Sequence, residues 1–169
     1  MAKMRNLLAF DLGASNGRAI LGQFDGDKIV MTELHRFENH YIEMNGVFYW
    51  DLPYLYNQLK LGLLAFKNGG YGDLDCCGID TWGVDYALLD EKGELLDDTI
   101  AYRDSRTQGM REKTDDDALF SVTGMQPQPF NTIYQLMAVL KEHPEYRDQV
   151  RDFLLVPEDG EVPEDLPED

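Results

Sequence analysis

The stretch Leu7-Leu8-Ala9-Phe10-Asp11-Leu12-Gly13-Ala14-Ser15-Asn16-Gly17-Arg18 restricts this chain more than any other. A short apolar run delivers an aspartate, two glycines bracket three small residues, and an arginine opens a second apolar run. The first run lacks period-two alternation, which predicts a strand buried on both faces. Asp11 falls where that strand ends. Gly13 and Gly17 permit a tight reversal and close approach of a ligand to the backbone. Backbone N–H groups in such a turn bind phosphate oxygens, and a neighbouring carboxylate can hold the hydrated magnesium that accompanies them. A Walker loop differs, because it leads from strand to helix and carries a lysine. Here Arg18–Phe24 reads as a returning strand, so the loop is a hairpin. A glycine-rich hairpin without a ligand is the alternative that these residues leave open.

Further patterns extend the meander. Strands are predicted at Leu7–Asp11, Arg18–Phe24 and Ile29–Phe37, the last two joined by the turn Asp25-Gly26-Asp27-Lys28. Tyr41–Asn45 and Val47–Trp50 form a further short hairpin around Gly46. Asp51 caps a helix with Pro53 in its first turn. Leu52, Leu55, Tyr56, Leu59, Leu63 and Phe66 make its apolar face, and Asn68-Gly69-Gly70 ends it. Cys76–Asp80 reads as a buried strand, with Cys76 and Cys77 as small buried hydrophobes. Val84–Asp90 is another strand, and Glu91-Lys92-Gly93 turns the chain into Glu94–Ile100. Helical patterns cover Arg106–Lys113, Asp116–Thr123 and Asn131–Glu142, and a last strand is Phe153–Leu155. Three antiparallel strands, a helix and a strand rejoining the sheet begin an α/β domain with a mixed sheet flanked by helices.

Length and charge set limits. A chain of 169 residues accommodates one sizeable core. Its formal charge of −17 argues against a nucleic-acid partner, whose phosphates demand a basic surface. No apolar stretch reaches the ~20 residues that span a bilayer, and the first residues lack a secretory apolar region. A cytoplasmic location is the expectation, with no membrane partner. Adjacent cysteines suit neither a disulfide framework nor a zinc site. His35, His40 and His143 lack metal spacing. Residues 157–169 are acidic and rich in proline, a composition that cannot bury enough apolar area to order itself. They are expected to form a disordered tail after a domain at 1–156.

Other segments narrow the first motif. Gly78-Ile79-Asp80-Thr81-Trp82-Gly83-Val84-Asp85-Tyr86 places polar and aromatic residues at a strand end, where α/β folds hold ligands. Ala101-Tyr102-Arg103-Asp104-Ser105-Arg106-Thr107 packs charges after a strand, and Pro129-Phe130-Asn131-Thr132-Ile133-Tyr134-Gln135-Leu136 opens a helix. The first motif resembles that of the actin-like ATPases. The set, over about residues 5 to 156, resembles the FGGY family of carbohydrate kinases, nearest the branch that phosphorylates L-rhamnulose.

That resemblance implies a ribonuclease-H-like, actin-like ATPase domain using ATP and Mg2+. Asp11 would hold magnesium through water, and Ala14, Ser15, Asn16, Gly17 and Arg18 would contact the ATP phosphates. Gly83 would be the foremost sugar contact, with Asp80, Trp82, Asp85, Arg103 and Asp104 around it. Bland readings stand beside these: Arg18 as an exposed strand-edge cation, Trp82 as core, and the 102–106 group as an internal Arg-Asp network. The Tyr134, Leu136, Met137, Leu140 stripe is read as helix core, and Asp115-Asp116-Asp117 as a solvated turn and cap. In this family the catalytic base and the adenosine grip belong to a later half with motifs not found in these 169 residues. The polypeptide alone is therefore expected to be silent, and to associate with that half or with itself. Competing readings are a kinase for a related pentulose, a non-catalytic sugar or partner-binding module, and a metal-dependent nuclease built on Asp11 and Asp80.

Overall fold

The computed structural model of the chain describes residues 3–156, so the expected acidic tail lies outside the described residues. Strands β1 (Arg5–Leu12), β2 (Asn16–Phe24) and β3 (Ile29–Glu38) form the antiparallel meander. The β1–β2 reversal has a two-residue tip, Ala14-Ser15, closed where the Gly13 amide donates to the Asn16 carbonyl at 2.9 Å. Hairpin β4 (Tyr41–Met44) and β5 (Val47–Trp50) turns through Asn45 and Gly46 with φ of 54° and 81°. Positive φ at both central residues is the geometry that an Asn-Gly pair favours.

Helix α1 (Leu52–Asn68) begins where the Asp51 carboxylate accepts the Tyr54 amide at 2.9 Å. The chain then returns as β6 (Cys76–Thr81), parallel to β1, giving the sheet order β3-β2-β1-β6. Leu8, Phe10, Ala19, Leu21 and Phe66 form the main core between sheet and α1, and Leu12, Phe37 and Leu55 extend it. Gly62 sets how closely α1 approaches: a Cβ there would stand 2.5 Å from the Phe10 ring and 2.8 Å from Ala19 Cβ.

The rest of the chain builds a smaller unit. Strand β7 (Tyr86–Leu89) pairs antiparallel with β8 (Asp152–Leu155). Between them come two 3-10 turns at Ser105–Thr107 and Arg111–Lys113, then α2 (Asp116–Thr123), α3 (Thr132–Glu142) and α4 (Tyr146–Gln149). Helix α3 supplies its centre, with Tyr134 and Ala138 against Met110, and Val139 against Tyr86 and Leu88. Asp115 accepts the amides of Asp117 and Ala118, the cap expected of it.

Several expectations are corrected. β1 is buried on one face only, through Asn6, Leu8, Phe10 and Leu12, because α1 covers that face alone among the described residues. β6 is an edge strand, exposed along almost its whole length, and Cys76 and Cys77 are exposed with it. The buried positions of α1 are Leu55, Gln58, Gly62 and Phe66, while Tyr56 and Leu63 are 63% and 41% exposed. A glycine at the closest approach is what a count of apolar residues passes over. Glu94–Ile100 forms no strand, only single bridges from Leu95 to Leu89 and from Ile100 to Tyr49. The Arg106–Lys113 pattern is resolved into the two 3-10 turns.

Gly62→Ala tests the packing. Alanine favours the helix by about 1 kcal/mol, but overpacking costs about 1–3 kcal/mol, so the expected net loss is about 1 kcal/mol in urea denaturation. Adding Phe10→Leu should recover part of it, since contacting sites are not additive.

Candidate functional site

Two loops leave the same end of the sheet. β1 and β6 are parallel and pair Asp11 with Asp80 and Leu12 with Thr81. The tip after β1 and the Trp82–Asp85 turn after β6 therefore emerge side by side at the strands' carboxyl ends, where open α/β sheets hold their ligands.

In the first loop, Asp11 faces Arg18 across the hairpin and the two form an ion pair, their side chains 42% and 37% exposed. Arg18 is thus engaged with Asp11, and its buried Nε has no partner among the described residues. The tip's carbonyls are tied back by buried Asn39, whose amide donates to the Ser15 carbonyl at 3.0 Å and whose Nδ2 donates to the Gly13 carbonyl at 2.8 Å. The amides of Ala14 and Ser15 have no protein acceptor among the described residues. Asn16 accepts from Arg36 at 3.2 Å. Gly17 has a packing reason of its own: a Cβ would lie 2.2 Å from the buried Phe37 ring.

The second loop is organised from inside. Asp85 is 0% exposed. One of its oxygens accepts the indole N–H of Trp50 at 2.6 Å and of Trp82 at 2.9 Å, and the other accepts Gln135 Nε2 at 3.2 Å. Gln135 Nε2 also donates to the carbonyls of Val84 at 3.1 Å and Phe130 at 3.0 Å, and its Oε1 accepts from Arg106 at 2.6 Å. Burial pushes the Asp85 carboxyl above its ordinary range, opposed by the indole and amide donors. Burial likewise lowers the Arg106 guanidinium. Val84 takes φ of +75°, a left-handed conformation that costs a β-branched residue about 1–3 kcal/mol. Its carbonyl is held by Gln135 and by the Thr132 hydroxyl at 2.8 Å.

The remaining candidates fall around this junction. Trp82 is half-buried, its ring 4.2 Å from Trp50. Gly83 is exposed, with open space where a side chain would stand. Asp80 is exposed on β6. Arg103 is exposed, its guanidinium 5.5 Å above the Tyr102 ring and its Nε donating to the Tyr102 hydroxyl at 3.1 Å. Buried Asp104 accepts the Arg106 amide at 2.8 Å and the Phe48 amide at 3.1 Å. In place of the internal Arg-Asp network that stood as the alternative reading of this segment, Arg106 reaches Asp85 through Gln135. A largely apolar cleft of about 460 Å³ opens beside Gly83 and Val84, lined also by Met125, Ile133 and Leu155.

Sequence reading passed over Trp50 and Gln135. Trp50 looked like one more member of an aromatic run. The signal for Gln135 was a polar residue beside Tyr134, four residues before buried Val139 on α3. A buried amide among apolar neighbours needs partners and so marks a network.

A three-strand meander, a crossover helix, a parallel strand and a glycine-bearing reversal after the first strand define the ribonuclease-H-like domain of the actin-like ATPases. The profile of the FGGY family of carbohydrate kinases, N-terminal domain, matches residues 6–159, and the chain belongs to that family. It is 44% identical over 159 residues to a rhamnulokinase of Mannheimia succiniciproducens, covering 90% of this chain and 33% of that protein. It is 45% identical to a rhamnulokinase of Halalkalibacterium halodurans, covering 92% and 34%. The chain thus spans about a third of the length of these relatives. In fold it is similar to a gluconate kinase of Lactobacillus acidophilus (TM-score 0.75, 16% identity, 90% of this chain and 31% of that one). A xylulose kinase of Rhodospirillum rubrum is comparable (TM-score 0.71, 16% identity, 89% and 32%).

Gly17→Ala should destabilise the chain by about 1–3 kcal/mol through the Phe37 contact, and Phe37→Leu in the same chain should restore part of that, both read from urea midpoints. Asp85 has a pH signature. Its folded pKa is raised, so its stabilising contribution is complete below the unfolded value of 3.8 and is lost as pH rises through the folded value. Wild type should therefore lose stability relative to Asp85→Asn as pH climbs from the ordinary carboxylate range toward neutrality. A parallel pair of curves would remove the role given to this buried ionisation.

Proposed function

We propose that residues 1–156 form the domain of an ATP-dependent ketose kinase that binds the sugar and the nucleotide's phosphates, with L-rhamnulose as the sugar. The observation that carries this reading is the emergence of both loops at one end of the sheet. Free amides and a carboxylate occupy one loop, and an exposed glycine beside a half-buried indole occupies the other. The choice of L-rhamnulose over a pentulose rests on the relatives called rhamnulokinase.

The amides of Ala14 and Ser15 would receive phosphate oxygens, with Asn16 and Gly17 shaping the approach. Arg18 would add a charge-assisted bond from its free donor groups. The residues fit magnesium, which favours one carboxylate plus phosphates and water: Asp11 would hold it through water, with Asp80 on the adjacent strand. Bound there, magnesium would neutralise charge on the transferring phosphoryl group. Gly83 would let the backbone reach the sugar hydroxyls while Trp82 offers its face to C–H groups. Arg103 stands at the rim.

A general base must reach the hydroxyl whose proton it takes. Asp85 is buried among three donors, Asp104 is tied to two amides and Asp11 is paired with Arg18. None of these three is free to act so; the family resemblance would give the base to a complementary half, and association with that half, or with a second copy, would complete the cleft. The juxtaposition of Asp11 and Asp80 would also suit a two-metal nuclease, but a net charge of −17 and the glycine-bearing reversal after β1 oppose it.

Titration calorimetry of the 169-residue chain should give heat with L-rhamnulose and, separately, with magnesium-ATP, while a coupled assay shows no ADP formed. Silence toward both ligands would overturn the reading. Rapid turnover would overturn the assignment of the base.

A further inference from the structure

One aromatic side chain, Tyr102, stands next to Trp50 of the Trp50–Trp82 stack, a second, Phe130, stands beyond it, and neither side chain joins the hydrogen bonds around Asp85. The Tyr102 ring lies 6.4 Å from Trp50 and 5.9 Å from Phe130, the latter pair edge to face. Tyr102 is half-buried and Phe130 is 42% exposed. Both rings rise from anchored backbone. The Phe130 carbonyl accepts from the same Gln135 amide that holds Val84, so Phe130 is fixed to the turn that carries Gly83. Tyr102 is fixed through Ala101, whose amide donates to the Phe48 carbonyl at 2.8 Å, and through buried Asp104. Adjacent apolar faces held rigidly and left open to water mark a surface made to receive something apolar. The charged group beside them is Arg103, laid across Tyr102.

Resting on the function proposed above, we propose that Tyr102 and Phe130 form an apolar wall that receives the methyl end of a 6-deoxyketose and selects it over the 6-hydroxy analogue. L-rhamnulose ends in a methyl group. L-fructose has the same configuration and carries a hydroxyl on that carbon. A methyl group laid on the exposed Phe130 face and the edge of Tyr102 leaves water at no cost in hydrogen bonds, whereas a hydroxyl held there, away from the Tyr102 hydroxyl, gives up water partners that the ring surfaces do not replace. Arg103 remains available to a hydroxyl further along the sugar. Discrimination of this kind is on the order of ten- to hundred-fold in a closed pocket. A half-open wall belongs at the lower end, about tenfold.

The chain's two tryptophans, Trp50 and Trp82, report on this place directly. Tryptophan emission of the 169-residue chain would be followed during titration with L-rhamnulose and with L-fructose. Both sugars should perturb it, L-rhamnulose with about tenfold higher affinity. Phe130→Ala should bring the two within about twofold, and Phe130→Leu, which keeps apolar volume, should retain most of the difference. Should Phe130→Ala lose its near-ultraviolet circular dichroism, Tyr102→Leu provides the same comparison from the other ring. Equal affinities in the wild type, or an undiminished preference in the folded variants, would overturn the wall while leaving the sugar site standing. A lack of response to either sugar would overturn the sugar site and the wall together.

Discussion

A buried carboxylate bonded to two indoles and a glutamine amide ties together the segments around Gly83 and Trp82. Asp85 carries a group that is expensive to bury unless it is paired and hydrogen-bonded. Its partners come from β5, the turn after β6 and the first turn of α3, so satisfying that one group fixes three separate segments relative to one another. Removing this acceptor leaves the two indole N–H groups without their partner, the buried Trp50 donor above all, which costs more than a single bond contributes. The arrangement reaches further through Gln135 to Arg106 and to the carbonyls of Val84 and Phe130. Gly83 and Trp82 are placed by chemistry one layer below them.

The parallel pairing of β1 with β6 is the second constraint. Antiparallel pairing would send the loops after these strands to opposite ends of the sheet. The crossover through α1 makes the strands parallel and brings the small reversal at Ala14-Ser15 beside the aromatic turn at Trp82. Gly62 and Gly17 serve that geometry by close packing, the first under α1 and the second under Phe37.

Much of this architecture was legible in the residues. The meander, the capped helix, the return strand and helices α2 and α3 follow from periodicity, caps and turn chemistry, which act locally. What escaped depended on neighbours distant in sequence. An apolar run such as Cys76–Ile79 looks the same at a sheet edge as in its middle, so its exposure could not be read. Asp85 stood out as a polar residue at a strand end, yet whether its carboxylate meets solvent depends on Trp50 and Gln135, separated from it by 35 and 50 positions. Gly17 gave the right reversal for a second reason, the Phe37 ring, that no local pattern contains.

Val84 has a consequence for how such a chain is made. Its left-handed backbone is unfavourable in isolation, and the groups that hold it, Thr132 and Gln135, come about fifty residues later. During synthesis the turn must wait, in a relaxed shape, until the start of α3 has left the ribosome. The turn around Gly83 therefore reaches its final shape only once the start of α3 is available to hold it.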